Sequence, residues 1–142
     1  MTETAVRLNL VDVGQIGCFE TIVDVRSPAE FAEDHLPGAQ NYPVLDDAER
    51  AQVGALYRQV SPFAARKLGA ALVARNIARH IEESFCDHDK NWKPLIYCWR
   101  GGQRSEAMTL ILGQIGWKAA KLEGGYKAWR QRVVKALETL PE

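Results

Sequence analysis

The stretch Leu95-Ile-Tyr-Cys-Trp-Arg-Gly-Gly-Gln-Arg-Ser105 constrains this chain most. Three apolar or aromatic residues read as a short buried strand that ends on a cysteine. A loop with two glycines and two arginines follows. A helix then begins near Ser105, with Met108, Ile111, Leu112 and Ile115 on one face. Strand, Gly-rich loop and helix N-terminus together form an anion cradle, because backbone N–H groups point inward and the helix dipole adds partial positive charge. A thiol at its mouth loses its proton readily, since the same groups stabilise a thiolate. Cys98 is the expected nucleophile, and Trp99, Arg100, Gly101, Gly102, Gln103, Arg104 and Ser105 the expected anion-binding loop.

The same logic extends along the chain. Thr21-Ile-Val-Asp-Val-Arg26 is a β-branched run suited to a strand buried on both faces. Ser27-Pro28 opens a short helix through Phe31. His35-Leu-Pro-Gly-Ala39 is turn chemistry, and Gln40–Tyr42 is extended and stopped by Pro43. Asp46-Asp47 caps a helix carrying Val53, Leu56, Tyr57 and Val60 on its face, and Ser61-Pro62 starts another with Val73, Ile77 and Ile81. Cys86–Asn91 reads as a solvated polar break. Pro94–Tyr97 is a strand, Trp117–Leu122 the last strand, and Gly124-Gly125 a turn. Tyr126, Trp129, Val133, Leu137 and Leu140 face inward on a closing helix. Alternating strands and helices imply an α/β fold whose mostly parallel central sheet is flanked by helices on both faces. Ligands of such sheets sit beyond the strands' C-terminal ends, where Cys98 falls.

Composition narrows the setting. The 142 residues are expected to form a single domain, 1–142, and 46% hydrophobic with 25% charged content suits a soluble globular chain. No apolar run approaches the ~20 residues that span a bilayer, so no membrane association is expected. Three cysteines without a C-x-x-C pair suggest neither a disulfide framework nor a metal site, and fit the cytoplasm. Cys18 and Cys86 are expected to be ordinary. Net charge is zero, yet residues 1–89 hold 8 Lys/Arg against 14 Asp/Glu, and residues 90–142 hold 10 against 4. The basic half contains the cysteine loop, which favours an anionic substrate unless folding interleaves the two halves.

These segments resemble the rhodanese family of sulfurtransferases. The matching pieces are Ile22–Phe31, His35–Ala39, the Cys98 loop and Gly124-Gly-Tyr-Lys-Ala-Trp129. Asp47–Gly54, the helical insertion after it and Arg100–Ser105 look like the N-terminal rhodanese domain of bacterial tRNA 2-selenouridine synthases. That resemblance implies a loop cysteine that carries the chalcogen while sulfur is exchanged for selenium in a wobble 2-thiouridine of tRNA. It also implies selenophosphate as selenium donor and geranyl diphosphate as co-substrate of the full-length family, with no cofactor bound by this domain.

Cys98, as thiolate, would attack a donor's sulfur or selenium and hold the atom as persulfide or perselenide. Loop N–H groups would stabilise that anion, and Arg104 would make bidentate contact with a donor oxyanion. Asp24 and Arg26 would brace the loop by charged hydrogen bonds.

Two departures matter. Arg104 stands six residues after Cys98, a C-x5-R spacing one residue longer than in ordinary sulfurtransferases. That spacing also occurs in rhodanese-like cysteine phosphatases and arsenate reductases, so such an activity remains an alternative, as does a non-catalytic docking module. The resembled synthases carry a C-terminal P-loop domain, and no G-x-x-x-x-G-K-[ST] occurs here.

Overall fold

The computed structural model describes residues 8–139. Five strands pair in the order β1-β5-β4-β2-β3, and every pairing is parallel. They are β1 Leu10–Val11, β2 Thr21–Asp24, β3 Gln40–Asn41, β4 Pro94–Tyr97 and β5 Ala120–Leu122. The helices are α1 Pro28–Glu33, α2 Asp47–Gln59, α3 Pro62–His80, α4 Gln103–Ile115 and α5 Gly125–Glu138. A 3-10 turn spans Val13–Cys18, and a single π turn, Ile81–Phe85, ends α3.

The central strands are buried on both faces because side chains alternate across a pleated sheet. Val23, Val25, Ile96 and Cys98 join Ile77 of α3 and Met108 and Leu112 of α4 in one core cluster. Ile22, Leu95 and Tyr97 join Leu36 and Tyr126 of α5 in the other. The expected two-sided cover of a parallel sheet is therefore present. Register places Asp24 opposite Tyr97, so β2 and β4 end together at one edge.

Helix starts follow their caps. Ser27 and Glu30 form a capping box at α1, with Ser27 N–H and Oγ each 3.0 Å from Glu30 Oε1. Asp46 and Glu49 do the same for α2. Ser61 Oγ accepts from Ala64 N–H at 3.0 Å and Pro62 fills the first position of α3.

The structure departs from sequence expectation in five places. β1 is an unanticipated two-residue edge strand, too short to show periodicity. The last strand is only Ala120–Leu122, because Trp117 packs edge-on against Trp92 and Lys118 N–H donates to the Trp92 carbonyl at 3.0 Å. Helix α4 begins at Gln103 rather than near Ser105, with extended Gly102 as its N-cap. Tyr57 and Val60 are 59% and 67% exposed, since α2 buries no residue fully. Leu137 is exposed on the last turns of α5, and Leu140 lies outside the described residues. No described helix is long and apolar enough to cross a membrane, and the described residues contain no cluster of three or more His, Cys, Asp or Glu fit for a metal.

Candidate active site

Cys98 follows the last residue of β4 directly, so the strand end positions the thiol. Its Sγ accepts a hydrogen bond from Gly102 N–H at 3.2 Å and lies 3.1 Å from Ser105 Oγ. Residues 98–102 thus curl round the sulfur. Gly101 permits the curl with φ +76, a left-handed conformation that L side chains resist. The first intrahelical bond of α4 runs from Glu106 N–H to the Gly102 carbonyl at 3.2 Å. The N–H groups of Gln103, Arg104 and Ser105 precede it and take no part in the helix ladder. With the helix dipole they make the mouth of the loop favourable for an anion.

What keeps the loop's carbonyls out of that mouth is α5. Tyr126 N–H donates to the Cys98 carbonyl at 2.8 Å and Lys127 N–H to the Trp99 carbonyl at 2.9 Å. Gly125 makes the approach possible: with φ +57, a Cβ there would meet the Cys98 carbonyl oxygen at 2.4 Å and Gly101 N at 2.8 Å. The Gly124-Gly125 turn therefore locks the Cys98 loop onto the N-terminus of a second helix.

Cys98, Trp99, Arg100, Gly102, Gln103 and Arg104 line an open cleft of about 330 Å³. Cys98 is only 2% exposed, whereas Cys18 and Cys86 are exposed and away from the loop. Trp99 is 40% exposed and stacks on Tyr126, ring centroids 5.2 Å apart. Arg100 is exposed and lines the cleft. Ser105 is fully buried, and its Oγ also reaches the Gly102 carbonyl at 3.2 Å.

Arg104 does not point a free fork at the thiol. Its Nη1 donates to Glu30 Oε1 at 2.8 Å, with Nη2 3.5 Å from Oε2. Burial alone would push the Glu30 carboxyl up, but Arg104 together with the Ser27 N–H and hydroxyl holds it down at about 2. Arg50 adds a looser contact to Glu30 at 3.6 Å. Sequence reasoning missed Glu30 as a site residue. Its signal was present as the fourth residue of Ser27-Pro-Ala-Glu30, which reads as a capping box and serves that purpose too.

Asp24 and Arg26 are buried and paired, with Arg26 Nη2 2.8 Å from Asp24 Oδ2. Their side-chain bonds do not go to residues 99–105. Asp24 accepts from Tyr97 Oη at 2.6 Å, Arg26 donates to the Asp34 carbonyl at 2.6 Å, and the guanidinium lies 4.4 Å from the Tyr126 ring centroid. Burial, reinforced by Asp24, pushes the Tyr97 hydroxyl up, so it stays a donor. Burial works against the Arg26 charge but is outweighed by Asp24, and its titration moves up. The pair reaches the loop indirectly, through Tyr97 before Cys98 and Tyr126 beneath it.

The two oppositely charged halves of the chain interleave here. Glu30, Glu33 and Asp34 share an adjoining cavity of about 420 Å³ with Arg26, Arg130, Trp99 and Tyr126.

Comparison with known proteins agrees with this geometry. A family model described as Rhodanese-like domain matches residues 8–132. The tRNA 2-selenouridine synthase of Nitrosomonas europaea is 36% identical over 122 residues, covering 85% of this chain and 32% of that protein. That of Chromohalobacter salexigens is 40% identical over 118 residues, covering 82% and 33%. The chain thus spans about a third of the length of these curated relatives. Among solved structures, the N-terminal domain of a Clostridium difficile 630 protein described as ATP/GTP-binding superposes with TM-score 0.75 at 30% identity, covering 89% of this chain and 99% of that one. A human single-domain sulfurtransferase shares the fold, with TM-score 0.53 at 22% identity, covering 89% and 98%.

Proposed function

The chain belongs to the rhodanese-like domain family, and we propose that it carries a sulfur or selenium atom on Cys98 for the exchange of sulfur by selenium in wobble 2-thiouridine of tRNA. The observation that carries this reading is the environment of the Cys98 sulfur: Gly102 N–H at 3.2 Å, Ser105 Oγ at 3.1 Å and the open N–H groups of the first turn of α4. A curl of donors around a small cleft suits a terminal chalcogen anion one atom beyond Sγ.

With thiosulfate as donor, the Cys98 thiolate attacks the outer sulfur. The Sγ–S bond forms as the donor's S–S bond breaks, and sulfite leaves with the bonding pair. The loop then holds the persulfide anion until an acceptor takes the terminal sulfur. In the selenium reaction, selenophosphate is the expected source, geranyl diphosphate the co-substrate and tRNA the acceptor. The tRNA assignment follows the names of the relatives; selenophosphate and geranyl diphosphate follow only from the resemblance of the loop and helical insertion.

The C-x5-R spacing also suits a cysteine phosphatase, but the residues support that reading less well. Phosphate ester cleavage needs a general acid at the leaving group. Residues 99–105 contain no carboxylate. Glu30, the nearby carboxylate on Arg104, is held ionised. Arg104 in turn has its fork on Glu30.

The test is to expose the purified chain to thiosulfate or selenophosphate, record its intact mass, and assay aryl phosphate hydrolysis beside it. Addition of one chalcogen atom per chain without phosphate release is the expected result. Phosphate release with no chalcogen adduct would replace this reading with the phosphatase one.

A further inference from the structure

Arg26, Tyr126 and Trp99 make a run of planar groups that leads from the core to the surface. The Arg26 guanidinium lies 4.4 Å from the Tyr126 ring centroid, and Tyr126 stacks on Trp99 at 5.2 Å with ring planes 26° apart. The first two members are buried, whereas Trp99 is 40% exposed. The run therefore ends in water on a large aromatic ring, next in sequence to Cys98. A second ring behind the tryptophan fixes its plane in advance, which is the preorganisation a stacking platform needs.

Trp99 also joins two spaces. It lines the cleft over Cys98 and the adjoining cavity of about 420 Å³, a volume that suits a small-ligand site. Most of the charge in that cavity is already engaged. Arg26 is paired with Asp24, Glu30 holds Arg104, and Asp34 accepts a hydrogen bond from the Tyr126 hydroxyl. Glu33 and Arg130 remain. Both are exposed, and neither has an ion-pair partner among the described residues. The cavity thus offers one free acceptor and one free donor beside an aromatic face.

Three carboxylates against two arginines disfavour a phosphate in this space. A flat, neutral heterocycle with adjacent N–H and C=O groups matches all of its features. Trp99 covers the face of such a ring, Glu33 accepts from the N–H, and Arg130 donates to the carbonyl. A uracil-type ring has this pattern at N3 and C4. Recognition there leaves C2, on the other side of N3, for the Cys98 cleft.

We propose that this cavity is the acceptor subsite, in which the 2-thiouracil base stacks on Trp99 while Glu33 and Arg130 read its N3–H and C4 carbonyl. This deepens the selenium-exchange reading and rests on it, since that reading names the base. Unpaired RNA bases are commonly held this way, by an aromatic side chain on the face and hydrogen bonds along the edge.

NMR titration of the whole chain with the nucleoside 2-thiouridine tests this. The Trp99 indole N–H should shift saturably, while those of the buried Trp92 and Trp117 stay put. Two analogues separate the contacts: the N3-methyl nucleoside lacks the N–H, and the ring-saturated dihydro nucleoside lacks the flat face. Each should bind at least about fivefold more weakly than 2-thiouridine. Trp99→Ala should cost a similar factor, and Trp99→Phe should restore most of it. Glu33→Ala, an exposed change that leaves the platform in place, should erase the preference over the N3-methyl analogue, so a folding failure of Trp99→Ala leaves the test decisive.

Absence of a saturable Trp99 shift, or equal affinity for the three nucleosides, overturns the proposal. A Trp99 shift that follows protein concentration without nucleoside overturns it too, by assigning the exposed ring to a second copy. Sulfur loading of Cys98 in the unmodified chain is read by mass with no nucleoside present, so failure of the acceptor subsite is distinguishable from failure of the chalcogen-carrier reading.

Discussion

The backbone N–H of Tyr126 donates a 2.8 Å hydrogen bond to the carbonyl of Cys98, so the first turn of α5 holds the peptide unit of Cys98 itself. Twenty-eight residues separate the two in sequence, and the contact depends on Gly125 bringing the chains into backbone contact. The closing helix is thus part of the site's scaffold as well as its cover.

Gly125→Ala should disrupt this junction. The new Cβ would overlap the Cys98 carbonyl oxygen, which is backbone and cannot swing aside, at a position with φ +57. Left-handed strain and local overpacking together predict a loss of about 2–4 kcal/mol. Chemical denaturation gives the loss directly. Sulfur loading of the variant should fall even at temperatures where circular dichroism reports it folded.

Glu30 makes stability depend on acid. Its carboxyl is held at about 2 in the folded chain against an ordinary 4.5. A depressed carboxylate contributes stability that is fully present above its unfolded value and is lost as pH falls from about 4.5 toward about 2. The contribution near neutrality is on the order of 3 kcal/mol. Denaturation midpoints of the chain and of Glu30→Gln should therefore differ most near pH 7 and converge toward pH 2. Parallel curves across that window would show that the Arg104–Glu30 pair is not coupled to folding.

Much of this architecture is legible in the sequence, and the misses have physical causes. Ile22-Val23 and Leu95-Ile96-Tyr97 announce buried strands because both pleat faces are apolar, and the S-P pairs at Ser27 and Ser61 mark helix starts through proline's fixed φ. Cys98 stands out because a Gly-rich basic loop follows it. Tyr57 and Val60 have helical spacing, but periodicity does not say whether the apolar face meets a wall or an open groove. The partner of Arg104 was hidden because Glu30 lies 74 residues away and its capping role already accounts for it locally. The bracing expected of Asp24 and Arg26 runs through Tyr97 and Tyr126, and such relays leave no spacing signature.

These 142 residues alone should not complete selenouridine synthesis. Phosphate contacts dominate RNA affinity, and a chain of zero net charge whose site mixes Arg26, Arg104 and Arg130 with Glu30, Glu33 and Asp34 presents little uniform basic surface. Incubation with selenophosphate, geranyl diphosphate and 2-thiouridine tRNA should yield no selenouridine by nucleoside mass spectrometry. Conversion of the tRNA would show that the remaining two thirds of the relatives' length is dispensable for the reaction.

The central claim is that Cys98 alone receives the chalcogen. The chain holds three cysteines, of which Cys18 and Cys86 are exposed and Cys98 is buried in its loop. Simple accessibility would favour the first two, whereas the anion cradle favours the third. The deciding measurement is the intact mass of the chain and of its three Cys→Ala variants after thiosulfate treatment and desalting without reductant. One added sulfur atom should appear on the unmodified chain and on Cys18→Ala and Cys86→Ala, and none on Cys98→Ala. Full labelling of Cys98→Ala, or loss of labelling in either of the other two, would contradict the account.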